Sequence, residues 1–227
     1  MQERAFRIVW RLAAFTMVAL SPLRSATAQE QAGSWYVMGG AAAVHQDGLS
    51  GESSQTYVGA PGGTSWGWWV AGGTFRSSRV SIEGEFAATG TMRATERSRY
   101  GYTYHEERRD FFLGANVRFH VGSLPSVHIE PVGGIGLVFH QSWGQDDQYR
   151  DWLSPPVVVR SPRQKHATRI DVGFSGGVDV RIGGRRVAVV PSFRVRWHGW
   201  GEGLRWLYPG GYPTWTITGR VGVRIDL

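Results

Sequence analysis

The end of the chain alternates between apolar and polar positions with a period of two residues. Such alternation is typical of a β-strand with one apolar face. Seven further segments have the same period, and clusters of Gly, Pro and polar residues separate them. The apolar positions of the last segment are Trp215, Ile217, Val221, Val223, Ile225 and Leu227. The earlier segments are roughly 34–45, 65–75, 80–89, 110–121, 127–141, 168–182 and 186–197.

The connections between these eight segments alternate between short and long. Three are tight turns, at 76–79, 122–126 and 183–186. The other four are long, at roughly 46–64, 90–109, 142–167 and 198–213. Short turns at one rim and long loops at the other are typical of a transmembrane barrel with periplasmic turns and extracellular loops. The pattern predicts an all-β fold, an eight-stranded antiparallel up-and-down transmembrane β-barrel.

Taken at face value, the turns predict strand registers. In the fourth and fifth strands Phe111 faces Leu137 on the apolar side, while Arg118 faces Glu130 on the polar side.

The hairpin of the second and third strands is predicted to place Trp69 and Phe75 on the outer face. The hairpin of the sixth and seventh strands places Asp171 near His198 at the extracellular end.

Alternation alone does not separate a membrane barrel from a secreted, lipocalin-like soluble barrel, because the two reverse which face is inside. Glycines on the polar face favour a crowded interior, since a face bathed in water has no steric need for them. These glycines are Gly134, Gly136, Gly173, Gly177 and Gly222. The predicted lipid-facing side chains are Phe111, Leu113, Phe119, Ile129, Ile135, Leu137, Trp197, Trp215, Ile217 and Leu227.

Three stretches carry a resemblance to a known group. The segments Glu130-Pro-Val-Gly-Gly-Ile-Gly136 and Ser175-Gly-Gly-Val-Asp179, with the alternating last strand, resemble the small eight-stranded outer-membrane barrels. That group includes the OmpA transmembrane domain, OmpX and the opacity-type surface proteins. The resemblance implies a monomer in the bacterial outer membrane, inserted by the barrel assembly machinery, in contact with outer-membrane lipid and lipopolysaccharide. The group's last strand usually ends in an aromatic residue, whereas this strand ends in Leu227.

The start of the chain has the pattern of an export signal. Arg4, Arg7 and Arg11 precede an apolar run and the small residues 26–28. We therefore expect a secretory signal peptide at 1–28 and the barrel domain at 29–227. The whole chain has a net charge of +7. The predicted signal holds four Arg and one Glu, which leaves 21 positive and 17 negative side chains, a net +4.

Composition narrows the classes of function. A mild mixed charge does not favour nucleic-acid binding. The chain has no Cys, which excludes disulfides and thiolate metal sites. No apolar run after residue 28 approaches the length of a membrane-spanning helix. We expect no cofactor.

Charged residues on the polar face would meet inside the barrel. Because a lone charge in a low-dielectric interior is costly, we expect them to pair and fill the lumen. The expected role is structural or surface-interacting in the cell envelope, and the first alternative is a narrow ion-conducting porin. The predicted lumen network is Glu83, Glu85, Arg118, Glu130, Asp171, Asp179, Arg194, Arg196 and Arg220.

The loop at 90–109 mixes arginine with tyrosine. This combination suits contact with anionic sugar-phosphate surfaces, either lipopolysaccharide or host glycans. Glutamates in the same loop are equally consistent with a solvated loop that has no ligand. The candidate contact residues are Arg93, Arg97, Arg99, Tyr100, Tyr102 and Tyr104.

Metal and enzyme sites are not predicted. His120 and His128 are expected side by side, but no third ligand accompanies them. Some outer-membrane barrels modify lipid A, and the deacylases among them carry His-x-Ser. The matching stretch here is His198-Gly-Trp200, which puts Trp at the nucleophile position and leaves Ser175 as the hydroxyl to test. A lipid A-modifying enzyme is therefore only an alternative.

Overall fold

The computed structural model describes residues 33–46, 63–97, 102–124, 127–150, 157–165, 168–184, 186–198 and 214–227. The predicted signal peptide lies outside these residues and stays a prediction. The strands are β1 (Trp35–Gln46), β2 (Gly63–Ser77), β3 (Val80–Thr89), β4 (Met92–Arg97), β5 (Tyr102–Phe119), β6 (Val121–Leu124), β7 (Val127–Arg150), β8 (Val157–Arg160), β9 (Gln164–Lys165), β10 (Arg169–Gly183), β11 (Val187–His198) and β12 (Thr214–Asp226). Among the described residues no helix is long and apolar enough to cross a membrane.

Eight of these strands form a closed wall. Each pairs antiparallel with its neighbour, and β1 pairs with β12 as well as with β2, which closes the sheet on itself. The wall order is β1, β2, β3, β5, β7, β10, β11 and β12. Sequential antiparallel neighbours make an up-and-down barrel, so the predicted all-β eight-stranded fold is confirmed.

Two wall strands continue beyond the rim opposite the β2–β3 turn, which we call the extracellular rim after the orientation predicted from the sequence. The rim at that turn is called periplasmic in the same sense. β5 has 18 residues and β7 has 24, and they stay paired to Tyr102 and Gln148. The short strands β4, β8 and β9 flank them there. The prediction that 90–109 and 142–167 are loops is therefore partly wrong. The outer parts of β5 and β7 are mostly polar on both faces, so they lack the apolar period by which strands are recognised.

The pairing of β5 with β7 differs from the predicted register by two residues. Phe111 pairs with Phe139, and Leu113 lies opposite Leu137, where Phe111 was predicted. The cause lies at the turn, because β6 continues the hairpin as far as Leu124 and contains a bulge. A shift of two residues preserves which side chains point inward, so the predicted faces hold. The β10–β11 register is likewise shifted by two, with Gly173 opposite His198.

The observed pairing of β2 with β3 differs from the predicted register by one residue, and the two faces of β2 are reversed. A bulge between Phe75 and Ser77 moves the register. Trp69 is 1% exposed and lies inside, whereas its neighbour Trp68 is 51% exposed on the outer wall. The prediction that Trp69 and Phe75 lie outside is wrong, because a one-residue slip turns every side chain of a strand to the other face.

The outer wall is apolar around the barrel. Leu113, Ile129, Val187 and Val221 are each about half exposed and lie on four different strands. Trp197 lies between Phe174 and Trp215, with ring centroids 6.0 and 6.2 Å away. The side chains predicted to face lipid all lie on this outer face, with Phe111 and Trp197 partly covered by their neighbours.

Glycines make room for large side chains inside the wall. A Cβ atom built on Gly222 would lie 2.7 Å from the ring of Trp69 and 2.7 Å from the carbonyl oxygen of Gly39. One built on Gly136 would lie 2.7 Å from the ring of Phe112. The glycines of the polar face thus have the steric role predicted from the sequence.

We predict that Gly222→Ala destabilises the barrel by about 1–3 kcal/mol, because the new methyl group has no room beside the backbone of β1. Gly219→Ala on the same strand is the matched control. A Cβ there meets nothing within 4 Å, so its effect is expected within about 0.5 kcal/mol. Urea unfolding in lipid vesicles, followed by tryptophan fluorescence, measures both. Equal stability of the two variants would contradict the crowded interior.

Candidate functional site

Arg118 is the centre of a buried charge network in the periplasmic half of the lumen. Its side chain is 0% exposed and donates to Glu83 and Glu130, each at 2.7 Å, and to Asp179 at 2.5 Å. These three carboxylates come from β3, β7 and β10. One guanidinium therefore ties three wall strands to its own strand, β5, across the barrel axis.

Neighbouring groups extend this centre around the wall. Asp179 also accepts from Arg194 on β11, and Glu130 lies 3.3 Å from Arg224 on β12. Tyr36 on β1 donates to Glu83 at 3.0 Å, and the guanidinium of Arg224 lies 3.9 Å from the centre of the Tyr36 ring. We call this set the lower belt. Its members are Tyr36, Glu83, Arg118, Glu130, Asp179, Arg194 and Arg224.

A second layer lies above the lower belt. Glu85 accepts from Arg220 at 2.7 Å and from Arg196. Asn116 donates to both Glu85 and Glu83 at 3.1 Å, which joins the two layers.

Two arginines facing one carboxylate leave one positive charge in excess. Aromatic faces compensate, since Arg196 lies 4.2 Å from the ring centre of Phe112 and Arg220 lies 5.1 Å from that of Trp69. This gives a physical reason for the inward-pointing aromatics.

A third layer closes the extracellular end of the lumen. Asp110 accepts from Arg108 and from Nδ1 of His140, each at 2.7 Å. The other ring nitrogen of His140 lies 3.1 Å from Asp171. His198 lies beside this group, 4.9 Å from His140 between ring centres. A cavity of about 20 Å³, enough for about one water, borders it.

Every member of the predicted lumen network lies inside the barrel and takes part in these contacts, Asp171 at the extracellular rim. Alternation along each strand was enough to place them. Sequence reasoning missed Arg108, Asp110 and His140. Their signal was present, since Asp110 shares its parity with Arg118 and His140 shares its parity with Glu130.

Two other expectations changed. His120 does not pair with His128, because it donates to Glu130 at 2.9 Å and contacts Ser81 at 3.1 Å. Ser175 donates to Asn116, and the hydroxyl that lies 3.2 Å from His198 belongs to Thr216.

The predicted loop contacts lie partly within the described residues. Arg93 is 76% exposed and donates to Glu107 at 2.9 Å. Arg97, Tyr102 and Tyr104 are in strands, although their side chains are not described. Arg99 and Tyr100 lie outside the described residues.

A basic face covers the outer side of the extracellular sheet. The ring of Trp143 has Arg163 at 5.1 Å and Arg109 at 5.8 Å from its centre, and Lys165 pairs with it across the strands. Arg163 also forms an ion pair with Glu107. The basic face is defined by Arg93, Arg109, Arg160, Arg163 and Lys165, together with Glu107, Asp147 and Trp143.

Charge on this face is unbalanced. Arg160 donates to both oxygens of Asp147, at 2.8 and 2.9 Å. This pairing lowers the pKa of Asp147 and raises the pKa of Arg160. Asp147 is therefore a carboxylate over the whole neutral range. The five cations and two carboxylates of the basic face leave a net charge of +3.

Comparison with known proteins gives structural matches alone. No family model and no curated protein matches the sequence. The fold is similar to Neisserial surface protein A, with 13% identity over 85% of this chain and 97% of that chain and a TM-score of 0.49. It is also similar to Ail, the attachment invasion locus protein of Yersinia pestis (11% identity, 86% and 99% covered, TM-score 0.44). OprG of Pseudomonas aeruginosa is a further match, with 9% identity over 88% of this chain and 98% of that chain and a TM-score of 0.48.

These matches come from the group that the sequence resembles, the small eight-stranded outer-membrane barrels. At such low identities the likeness concerns the fold alone.

We predict that Arg118→Met lowers the free energy of unfolding by about 3–5 kcal/mol, because three carboxylates lose their shared buried partner. Arg93→Met is the control, since this exposed pair contributes at most about 1 kcal/mol. Adding Glu83→Gln to Arg118→Met should restore part of the loss by removing one uncompensated charge. Urea unfolding in vesicles measures all three. Equal losses in the two single variants would contradict the central role of Arg118.

Proposed function

We propose that the protein is an integral outer-membrane barrel that does not conduct ions and that contacts anionic groups outside the cell through its basic face. The apolar outer wall supports the membrane location. Soluble monomers rarely expose apolar patches of more than a few hundred Å², whereas here apolar side chains cover the outside and charges fill the inside.

The lower belt is the observation that carries the absence of conduction. Its groups come from β1, β3, β5, β7, β10, β11 and β12 and meet across the lumen. Phe75 from β2 packs against Tyr36, with ring centres 5.5 Å apart. Arg118, Glu130 and Arg224 are each 0% exposed, which supports a lumen filled by side chains at this level. An ion would have to break several buried charge pairs to pass.

Planar-bilayer recording tests this proposal. We expect no steady current from the reconstituted protein. The supporting result is the absence of current from reconstituted protein. Heat-modifiable migration of the same sample on gels shows that the protein is folded. Steady open-channel current that changes in Arg118→Ala or Glu130→Ala would overturn the closed lumen and favour a narrow porin.

The basic face lies at the height where lipid headgroups would begin. Arg109 is two residues beyond the outward-facing Phe111 on β5, which is about 7 Å along a strand. Trp143 on β7 is four residues beyond Phe139, which is about 13 Å along a strand, and its ring centre lies 5.8 Å from Arg109. An aromatic ring flanked by arginines immediately above an apolar wall suits the phosphates of the outer leaflet, which are those of lipopolysaccharide.

We predict that the double variant Arg109→Gln, Arg163→Gln weakens binding of detergent-solubilised protein to lipopolysaccharide by about 30-fold, since each cation near an anionic surface contributes about 1 kcal/mol. Arg76→Gln with Arg79→Gln, two exposed cations at the opposite rim, is the matched control and should change nothing. Thermophoresis gives both affinities. Equal weakening in both double variants would contradict the basic face.

A parallel titration with a soluble sulfated glycan separates the two sources of negative charge. Lipopolysaccharide should bind at least ten times more tightly than the glycan, since lipid adds apolar contacts with the outer wall. Tighter binding of the glycan would replace the lipid proposal with recognition of a host surface.

A further inference from the structure

The third layer of the lumen contains three side chains of metal-binding type. His140 on β7, Asp171 on β10 and His198 on β11 each offer one ligand atom, and these atoms lie within 4.8 Å of one another. Nε2 of His140 is 3.1 Å from Oδ2 of Asp171, and Nδ1 of His198 is 4.0 Å from the same oxygen. Ligands around a tetrahedral zinc ion stand roughly 3.3–3.5 Å apart, given bonds of about 2.0–2.2 Å. Changes of up to about 1.4 Å in these separations would bring the three atoms to that geometry.

Both imidazoles are held by their far nitrogen. Nδ1 of His140 lies 2.7 Å from Asp110, and Nε2 of His198 lies 3.2 Å from the hydroxyl of Thr216. Nη2 of Arg108 also lies 2.5 Å from Nδ1 of His140, so a lone pair on the nitrogen that faces Asp171 requires the tautomer in which Nδ1 carries the proton and donates it to Asp110. A carboxylate behind a ligating histidine is the usual outer support of a zinc site, because it fixes the tautomer and the ring orientation.

His198 supplies a second, independent observation. Its side chain is 2% exposed, and its Nδ1 is buried without a hydrogen-bond partner. A buried nitrogen without a partner is unfavourable, because it has lost its hydrogen bonds to water. The unsatisfied atom is the one that lies 4.0 Å from Oδ2 of Asp171. A bound cation would use its lone pair.

Charge and access also fit a cation. Asp110 and Asp171 contribute two negative charges beside the imidazoles, and Arg108 offsets one of them through its bond to Asp110. The cavity of about 20 Å³ is lined by Asp110, His198 and Thr216, so it has room for about one water beside His198. Three protein ligands and one water make a four-coordinate open site.

We propose that His140, Asp171 and His198 form a binding site for a divalent transition-metal ion of the zinc class at the extracellular end of the lumen. Imidazole with carboxylate suits zinc, copper, nickel or iron better than calcium or magnesium, which take oxygen ligands. This site is separate from the lower belt and from the basic face, so it stands or falls independently of the proposed function.

Metal titration of the full barrel tests the site. Protein folded in detergent and dialysed against EDTA should bind one Zn²⁺ per chain when it competes with a chromophoric chelator. Co²⁺ in place of Zn²⁺ should give the intense visible absorption of a four-coordinate centre.

Near-isosteric variants assign the ligands. Asp171→Asn and His198→Gln should each weaken Zn²⁺ binding at least about 100-fold, and Asp110→Asn, which removes the outer support, should weaken it about 10–100-fold. His45→Gln is the matched control, since His45 is exposed on the outer wall near the same rim. It should leave the affinity unchanged. Heat-modifiable migration on gels checks that each variant is folded.

Nitrogen NMR of the unaltered protein gives an answer even if a variant fails to fold. Zn²⁺ should shift Nε2 of His140 and Nδ1 of His198 and leave His45, His120 and His128 in place. No binding up to about 1 mM Zn²⁺, shifts confined to other histidines, or equal affinity in Asp171→Asn and His198→Gln would overturn the proposal.

Discussion

The rest of the structure depends on one constraint, which is that charge inside a narrow barrel must be neutralised by other side chains. Arg118 meets that constraint by pairing with carboxylates from three other strands. Removing one partner of such a set leaves a buried charge without compensation, so the set is retained or lost as a whole. The apolar outside depends on it as well, because a wall with one apolar face needs a stable polar filling on the other.

The strands and their faces could be predicted from alternation because a wall residue meets either lipid or lumen. Registers were harder. In the β5–β7 hairpin the predicted register, which matched apolar and charged partners, is two residues from the observed one, and a shift of two residues leaves every face unchanged. Arg118 and Glu130 still meet, since long side chains reach diagonal neighbours. The β2 strand is apolar on both faces around Trp68 and Trp69, so its sequence does not mark which face is inside.

The candidate site shows the same contrast between the faces of single strands, which could be predicted, and contacts between strands, which could not. Parity along single strands placed Glu83, Arg118 and Glu130 of the lower belt inside the barrel, but it did not identify Tyr36. Contact between His140, Asp171 and His198 requires the registers of three strands together. Of the basic face only Arg93 was predicted, because its strands lie beyond the barrel, where pairing of β5 with β7 continues without an apolar face. There, hydrogen bonding to an already ordered neighbour replaces burial as the cause of strand formation.

The bulge in β2 shifts its register with β3 by one residue between Phe75 and Ser77. Phe75 pairs with Ser81 and Ser77 pairs with Val80, so Arg76 has no partner across the sheet. Loss of this residue would remove the bulge and leave the wall upstream in phase. Loss of a residue between Trp69 and Phe75 would instead turn Trp69 to the outer face. In the evolution of this strand we therefore expect insertions and deletions at Arg76, the unpaired residue between the turn and the regularly paired part of β2.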